Sequence, residues 1–216
     1  MGKWFYKLIS AMLISVSLIS GNIAHATETI ELRGDNTVLL ATDITYINND
    51  TFAAAVVAKR TMLPIEQPLY VLIGSHGGVY DAAMVLIKAL ADIPNITLIC
   101  QECDSAAGAI FATFKGPRLV LDNSSLMMHE LRVDHVTAKI ALLPEFTKIL
   151  VDHSDAFDKL MYTVLKISKA DYETKIVNKM WTLKGQEIVK AHLADKLIKT
   201  NCDSYMIHLV PEVCSK

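Results

Sequence analysis

The sequence predicts an α/β domain built around a mainly parallel sheet. Two observations carry that expectation. Short β-branched or aliphatic runs alternate with stretches whose apolar residues recur at helical spacing, the order of βαβ units. The 216 residues, without an internal repeat, a low-complexity tract or a linker, suit one compact domain.

Taken in order, residues 37–40 read as a strand, and Asp50 or Thr51 is expected to cap an alanine-rich helix that runs to Lys59. Residues 69–73 form a buried strand that breaks at Gly74-Ser75-His76-Gly77-Gly78. From Val79 onward Ala82, Ala83, Leu86, Ile87 and Leu90 recur at helical spacing. Residues 96–100 give the next strand and 105–114 a helix of small residues. Val120-Leu121 and residues 126–128 are further short strands. Phe146, Ile149, Leu150, Phe157, Leu160, Met161 and Val164 then mark a long helix, its apolar stripe serving packing or subunit contacts. Residues 184–190 and 196–198 close the unit as helix and strand.

Composition removes several functions. Lys and Arg number 21 against 23 Asp and Glu, a net charge of −2, which gives no basic face for nucleic acid. An apolar content of 52% with 20% charged residues excludes intrinsic disorder. Mean hydropathy is high, at +0.33. Part of the excess lies at the N-terminus, where Lys3 and Lys7 precede an apolar run over residues 8–19. That run falls short of the roughly 20 residues that a membrane-spanning helix needs. Ala24-His25-Ala26 supplies a small-x-small cleavage pattern, so residues 1–26 read as a secretory signal and 27–216 as the exported domain. The alternative is an uncleaved anchor.

Export makes the four cysteines candidates for pairing. Cys202 and Cys214 bracket a short segment that a local bridge can close. Cys100 and Cys103 form a C-x-x-C with no second pair and no histidine cluster to indicate zinc. A buried cysteine and a structural bridge account for these residues better than a redox role does. No cofactor and no metal are expected.

Three features, in order, carry chemistry: a glycine pair after a strand, a serine at a helix start, and a histidine after a strand. Gly77 and Gly78 lack side chains, so their backbone N–H groups can approach a reacting carbonyl. Ser105 opens a helix whose first N–H groups are unpaired, with the Ala106 N–H aimed at a developing oxyanion. The run Ala106-Ala107-Gly108-Ala109 lets that helix pack closely beneath. His129 follows a strand, where rigid structure can position a general base. Each feature alone has an ordinary explanation: a turn, a helix cap, a structural histidine.

Together, residues 69–198 resemble the proteolytic subunit of Clp protease. Tyr70-Val71-Leu72-Ile73-Gly74-Ser75-His76-Gly77-Gly78 is similar to that family's strand followed by Ser-Pro-Gly-Gly. Asp104-Ser105-Ala106-Ala107-Gly108-Ala109 resembles its nucleophile segment, and Asn123-Ser124-Ser125-Leu126-Met127-Met128-His129-Glu130 the segment carrying its base. Trp181-Thr182 through His192-Leu193-Ala194-Asp195 resembles its closing helix and Gly-Leu-Val-Asp turn. The resemblance implies a crotonase-like fold of repeated ββα units in a single domain. It implies Ser105 as nucleophile, His129 as base, and Gly78 with Ala106 as oxyanion donors. Counting from Cys100 or back from Gly108 would put Ala106 at the serine position; the Ser-Ala-Ala pattern of phage-type relatives selects Ser105.

The departures are equally specific. His76 stands where the family has proline, and His192 where its final turn has glycine. The family's catalytic acid falls at Asn178-Lys179, where Asn178 can fix an imidazole tautomer without supplying charge. A Ser–Lys dyad is the other route. The resemblance implies a peptide or unfolded-protein substrate and a homo-oligomeric ring. No dedicated ATPase partner is expected in an ATP-free compartment. Two other functions use the same fold. One is a catalytically weakened ring-forming scaffold or binding protein; the other is an acyl-CoA hydratase or isomerase, with Asp104 and Glu130 as flanking carboxylates.

Overall fold

The computed structural model describes residues 27–132 and 144–214, so the expected secretory signal at 1–26 lies outside the described residues. The elements run β1 (Glu28–Leu32), β2 (Thr37–Leu40), α1 (Tyr46–Met62), β3 (Leu69–Ser75), α2 (Tyr80–Ala91), β4 (Ile96–Asp104), α3 (Ala106–Thr113) and β5 (Arg118–His129). After them come α4 (Pro144–Leu165), α5 (Lys169–Ile176), β6 (Met180–Lys184), α6 (Gln186–Lys190), β7 (Lys196–Cys202) and α7 (Ser204–Leu209). The strands form one seven-stranded sheet in the order β1-β7-β5-β4-β3-β2, with β6 on β5. All of these ladders are parallel except β5–β6, which is antiparallel. No helix among the described residues is long and apolar enough to cross a membrane.

Alternation along the central strands sends side chains to two apolar layers. Val71, Ile73, Leu98 and Cys100 join residues of the helices, among them Phe52, Leu86, Ile110, Phe157, Met161 and Tyr172, in the larger one. Leu72, Ile99, Leu119 and Ile198 join Met206, Val210 and Val213 of the C-terminal segment in the smaller. Each large aliphatic side chain buried this way stabilises by roughly 1.5–3 kcal/mol. The segment that covers the smaller layer is tied to β7 by the Cys202–Cys214 disulfide. Cys100 and Cys103 are also bonded to each other, and both are fully buried.

Some boundaries differ from the sequence expectation. α1 begins well before Asp50, because Thr45 in extended backbone (φ −131°) caps it by accepting from Asn48 N–H. Thr51 lies inside the helix, its hydroxyl donating back to the Ile47 carbonyl at 3.2 Å. The two short strands expected around Val120 and Met127 are one strand, β5. Its pairing with β4 jumps from Cys100↔Val120 to Glu102↔Ser125. The buried Ser124 hydroxyl closes that jump, accepting from Leu121 N–H at 2.7 Å and donating to the Cys100 carbonyl. Before the jump β5 also pairs with β7, and after it with β6. The long helix α4 buries only part of its stripe: Phe157, Met161 and Leu165 enter the core, while Ile149 and Val151 are exposed.

Candidate active site

Sheets of this kind present reactive groups at the carboxyl ends of their strands. β4 ends at Asp104 and turns at Ser105 into α3. Ser105 has φ 55° and ψ −120°, a conformation that L-residues rarely adopt and that costs on the order of 1–3 kcal/mol. Its N–H donates to the Met127 carbonyl of β5 at 2.8 Å, which pins the turn to the neighbouring strand. Its hydroxyl makes no capping bond to α3. By contrast, Thr45, Ser168 and Asp203 all cap their helices in the ordinary way, from extended backbone. Ser105 occupies the turn, and Ala106 is the first helical residue, with an N–H that has no intrahelical acceptor.

Gly77 and Gly78 reach this turn from the end of β3. A Cβ on Gly77 would stand 2.6 Å from the Asp104 carbonyl oxygen, 2.8 Å from Ala106 N and 2.8 Å from Ser105 Cβ. Only glycine permits that approach, and its φ of 97° adds a second reason. Gly78, at φ 149°, pairs with Ile44 in an isolated parallel bridge. Ile44 N–H donates to the Gly77 carbonyl and the Ile44 carbonyl accepts from Val79 N–H, each at 2.8 Å. In that pattern the N–H of Gly78 itself takes no part in the bonds to Ile44.

His129 ends β5, two residues beyond the carbonyl that holds Ser105, and is half-buried. Its Nδ1 lies 2.5 Å from the Glu130 carbonyl oxygen. A carbonyl only accepts, so Nδ1 is the donor here, and in the neutral imidazole this is the tautomer with Nε2 as acceptor. The partner that fixes this tautomer is thus a backbone carbonyl rather than Asn178. Asn178 sits at φ 55° and donates its backbone N–H to Glu130 Oε1 at 3.3 Å. The Lys179 ammonium donates to the Thr174 carbonyl at 2.8 Å. No hydrogen bond joins Ser105 and His129. His192, standing where the resembled family has glycine, takes φ 61°.

Beside this turn lies a cluster of which the sequence singles out only Asp104, as a flanking carboxylate, and not its partners His76 and Glu102. His76 Nδ1 lies 3.6 Å from Glu102 Oε1 and 3.7 Å from Asp104 Oδ2. Burial raises the Asp104 carboxyl above the usual carboxylate range, and the neighbouring Glu102 raises it further; His76 and His129 oppose both. In the sequence His76 is legible only as a departure from proline, because its partners depend on strand register.

A surface depression of about 530 Å³ is lined by Val57, Arg60, Leu63, Ile65, Ile93 and Pro94 at the amino ends of β3 and β4. It shares no residue with the Ser105 turn. No family model matches the sequence.

Proposed function

We propose that the protein is a serine hydrolase that cleaves peptide bonds, with Ser105 as nucleophile and His129 as general base. The observation that carries this reading is the state of Ser105: a non-glycine residue in a strained strand-to-helix turn whose hydroxyl does not cap the helix. The ordinary explanation of a serine at a helix start therefore does not apply. In the proposed reaction, His129 Nε2 takes the Ser105 proton as Oγ attacks the carbonyl carbon. The oxyanion forms against the N–H groups of Gly78 and Ala106, and the imidazolium then gives its proton to the leaving amine. Water repeats the sequence to release the acyl group. Nδ1–H held by the Glu130 carbonyl orients the ring without a negative charge. Asn in place of Asp at this position costs a serine protease about 10⁴ in turnover, so slow chemistry is expected with the uncharged Glu130 carbonyl orienting the ring.

The crotonase-like assignment belongs to the same proposal. It is supported by the parallel β2-β3-β4-β5 core, with glycines ending β3 and a helix opening after β4. Export after cleavage near Ala26, a peptide or unfolded-chain substrate, and a ring whose contacts use the exposed half of α4 belong to it as well. Sedimentation of a stable monomer at micromolar concentration would contradict the ring. The specific observation favouring a weakened scaffold of the same fold is the missing carboxylate on His129 Nδ1.

Labelling with a fluorophosphonate decides between them. Wild type is expected to be labelled, and Ser105→Ala is expected to lose the label while keeping its fold. A folded wild type that takes no label would overturn the hydrolase and leave the scaffold.

A further inference from the structure

We infer that His76, Glu102 and Asp104 form a binding site for a divalent first-row transition-metal ion, at the edge where β3 and β4 end. His76 directly follows β3 while Glu102 and Asp104 lie in β4, and the three present one imidazole nitrogen and two carboxylates, with ligand atoms within 4.8 Å of one another. Bonds of about 2.0–2.2 Å to such an ion put neighbouring ligand atoms about 3.3 Å apart. The His76 nitrogen is already 3.6 and 3.7 Å from the two carboxylate oxygens, so small side-chain rotations complete the set. An imidazole among the donors favours zinc, cobalt or nickel over calcium or magnesium.

The strand register shows that this convergence is built. β3 and β4 pair Ile73↔Cys100 and then Gly74↔Glu102, so Gln101 is an extra residue on β4. Beyond it Ser75 pairs with Cys103, and the next step in register sets His76 beside Asp104. Without the extra residue His76 would face Cys103 instead. Bulges re-aim side chains in this way. The Cys100–Cys103 disulfide spans the bulge and holds it. Glu102 and Asp104, two residues apart, fall on one face of β4. Among the described residues, neither carboxylate is paired with a lysine or arginine; the side chain within ion-pair distance of both is His76. Two adjacent carboxylates without a lysine or arginine partner, one of them only 18% exposed, give the imidazole of His76 the company of two anionic oxygen donors.

An ion held there joins the segment carrying Gly77 and Gly78 to the strand end carrying Ser105. Binding itself is the readout, so the inference stands or falls independently of the hydrolase. The test is calorimetric titration of the purified, disulfide-intact chain with Zn²⁺, together with the visible spectrum of its Co²⁺ complex. One ion per chain is expected. His76→Ala and Glu102→Gln are each expected to weaken binding by at least about tenfold with an unchanged circular dichroism spectrum. All four cysteines are in disulfides, so thiolates do not compete for the ion. Absence of Zn²⁺ binding by wild type overturns the inference, as does binding that persists at wild-type strength in both variants. Should His76→Ala fail to fold, Glu102→Gln alone decides between these outcomes.

Discussion

The chain makes the same backbone turn twice. Ser105 joins β4 to α3 at φ 55° and ψ −120°, and Gly185 joins β6 to α6 at φ 41° and ψ −114°. Both N–H groups donate to carbonyls of β5, Ser105 to Met127 at 2.8 Å and Gly185 to Ser124 at 3.0 Å. At 185 the residue is the one this conformation favours. At 105 it is a serine, and the fold accommodates its side chain elsewhere. Gly77 leaves open the space against Ser105 Cβ, whereas at 185 a Cβ would meet the Asp122 carbonyl oxygen at 2.6 Å. Two turns of one geometry thus differ in whether a side chain is admitted. Where it is admitted, the side chain is a hydroxyl that takes no part in capping. That difference separates a structural turn from a candidate nucleophile more sharply than either turn alone.

The largest expected effect comes from closing that difference at the structural turn. Gly185→Ala adds strain at positive φ and a clash with the rigid Asp122 carbonyl, together on the order of 3 kcal/mol. Urea unfolding monitored by fluorescence measures it. A cost below about 0.5 kcal/mol, the size of an ordinary surface substitution, would mean that a side chain is admitted at 185 as well and that the two turns do not differ in this respect. Ser105→Gly tests the other side, and its sign is opposite. Relief of strain at φ 55° exceeds the entropy that glycine adds to the unfolded chain, for a net gain of about 1 kcal/mol. The same variant is expected to lose fluorophosphonate labelling. Stability gained together with labelling lost is the signature of a residue kept for chemistry. A destabilised Ser105→Gly would show instead that the serine side chain supports the fold.

How much of this is legible in the sequence depends on the range of the determinant. The strand at 69–73, which continues to Ser75, the helix after Val79 and the start of β4 follow from local pattern and periodicity, and the residues at 77, 78, 105 and 129 are singled out by motif order. The start of α1 does not, because Asp50 and Thr51 have cap chemistry while the capping bond is made by Thr45. β5 reads as interrupted because Asp122-Asn123 breaks its apolar pattern at the point where Ser124 carries the strand across a change of register. β1, α5, β6 and α7 are short, and tertiary pairing specifies them more than local pattern does. The partner of His129 Nδ1 is a neighbouring carbonyl, which no motif identifies. The His76, Glu102 and Asp104 cluster follows from a single extra residue in β4, visible only once the strands are paired.

The smallest expected effect calibrates what an ordinary cap contributes beside Ser105. Asp203 begins α7 from extended backbone, φ −71° and ψ 173°, and its carboxylate accepts from Met206 N–H at 2.8 Å and from Gly34 N–H at 2.9 Å. These bonds, that from Met206 first, hold its carboxyl below the usual range. A carboxyl lowered by folding contributes stability that is present above its unfolded value of about 3.9 and disappears as pH falls through the folded value. Asp203→Ala is therefore expected to melt below wild type at pH 7, and the gap is expected to narrow as pH is taken below about 4. Thermal melts of both proteins across that range measure it. Ser105→Ala, with no cap to lose and no charge to titrate, is expected to show a gap that does not vary with pH. If Ser105→Ala melted below wild type at pH 7 by as much as Asp203→Ala does, Ser105 would be acting as a cap after all, and the contrast between the helix starts would fall with it.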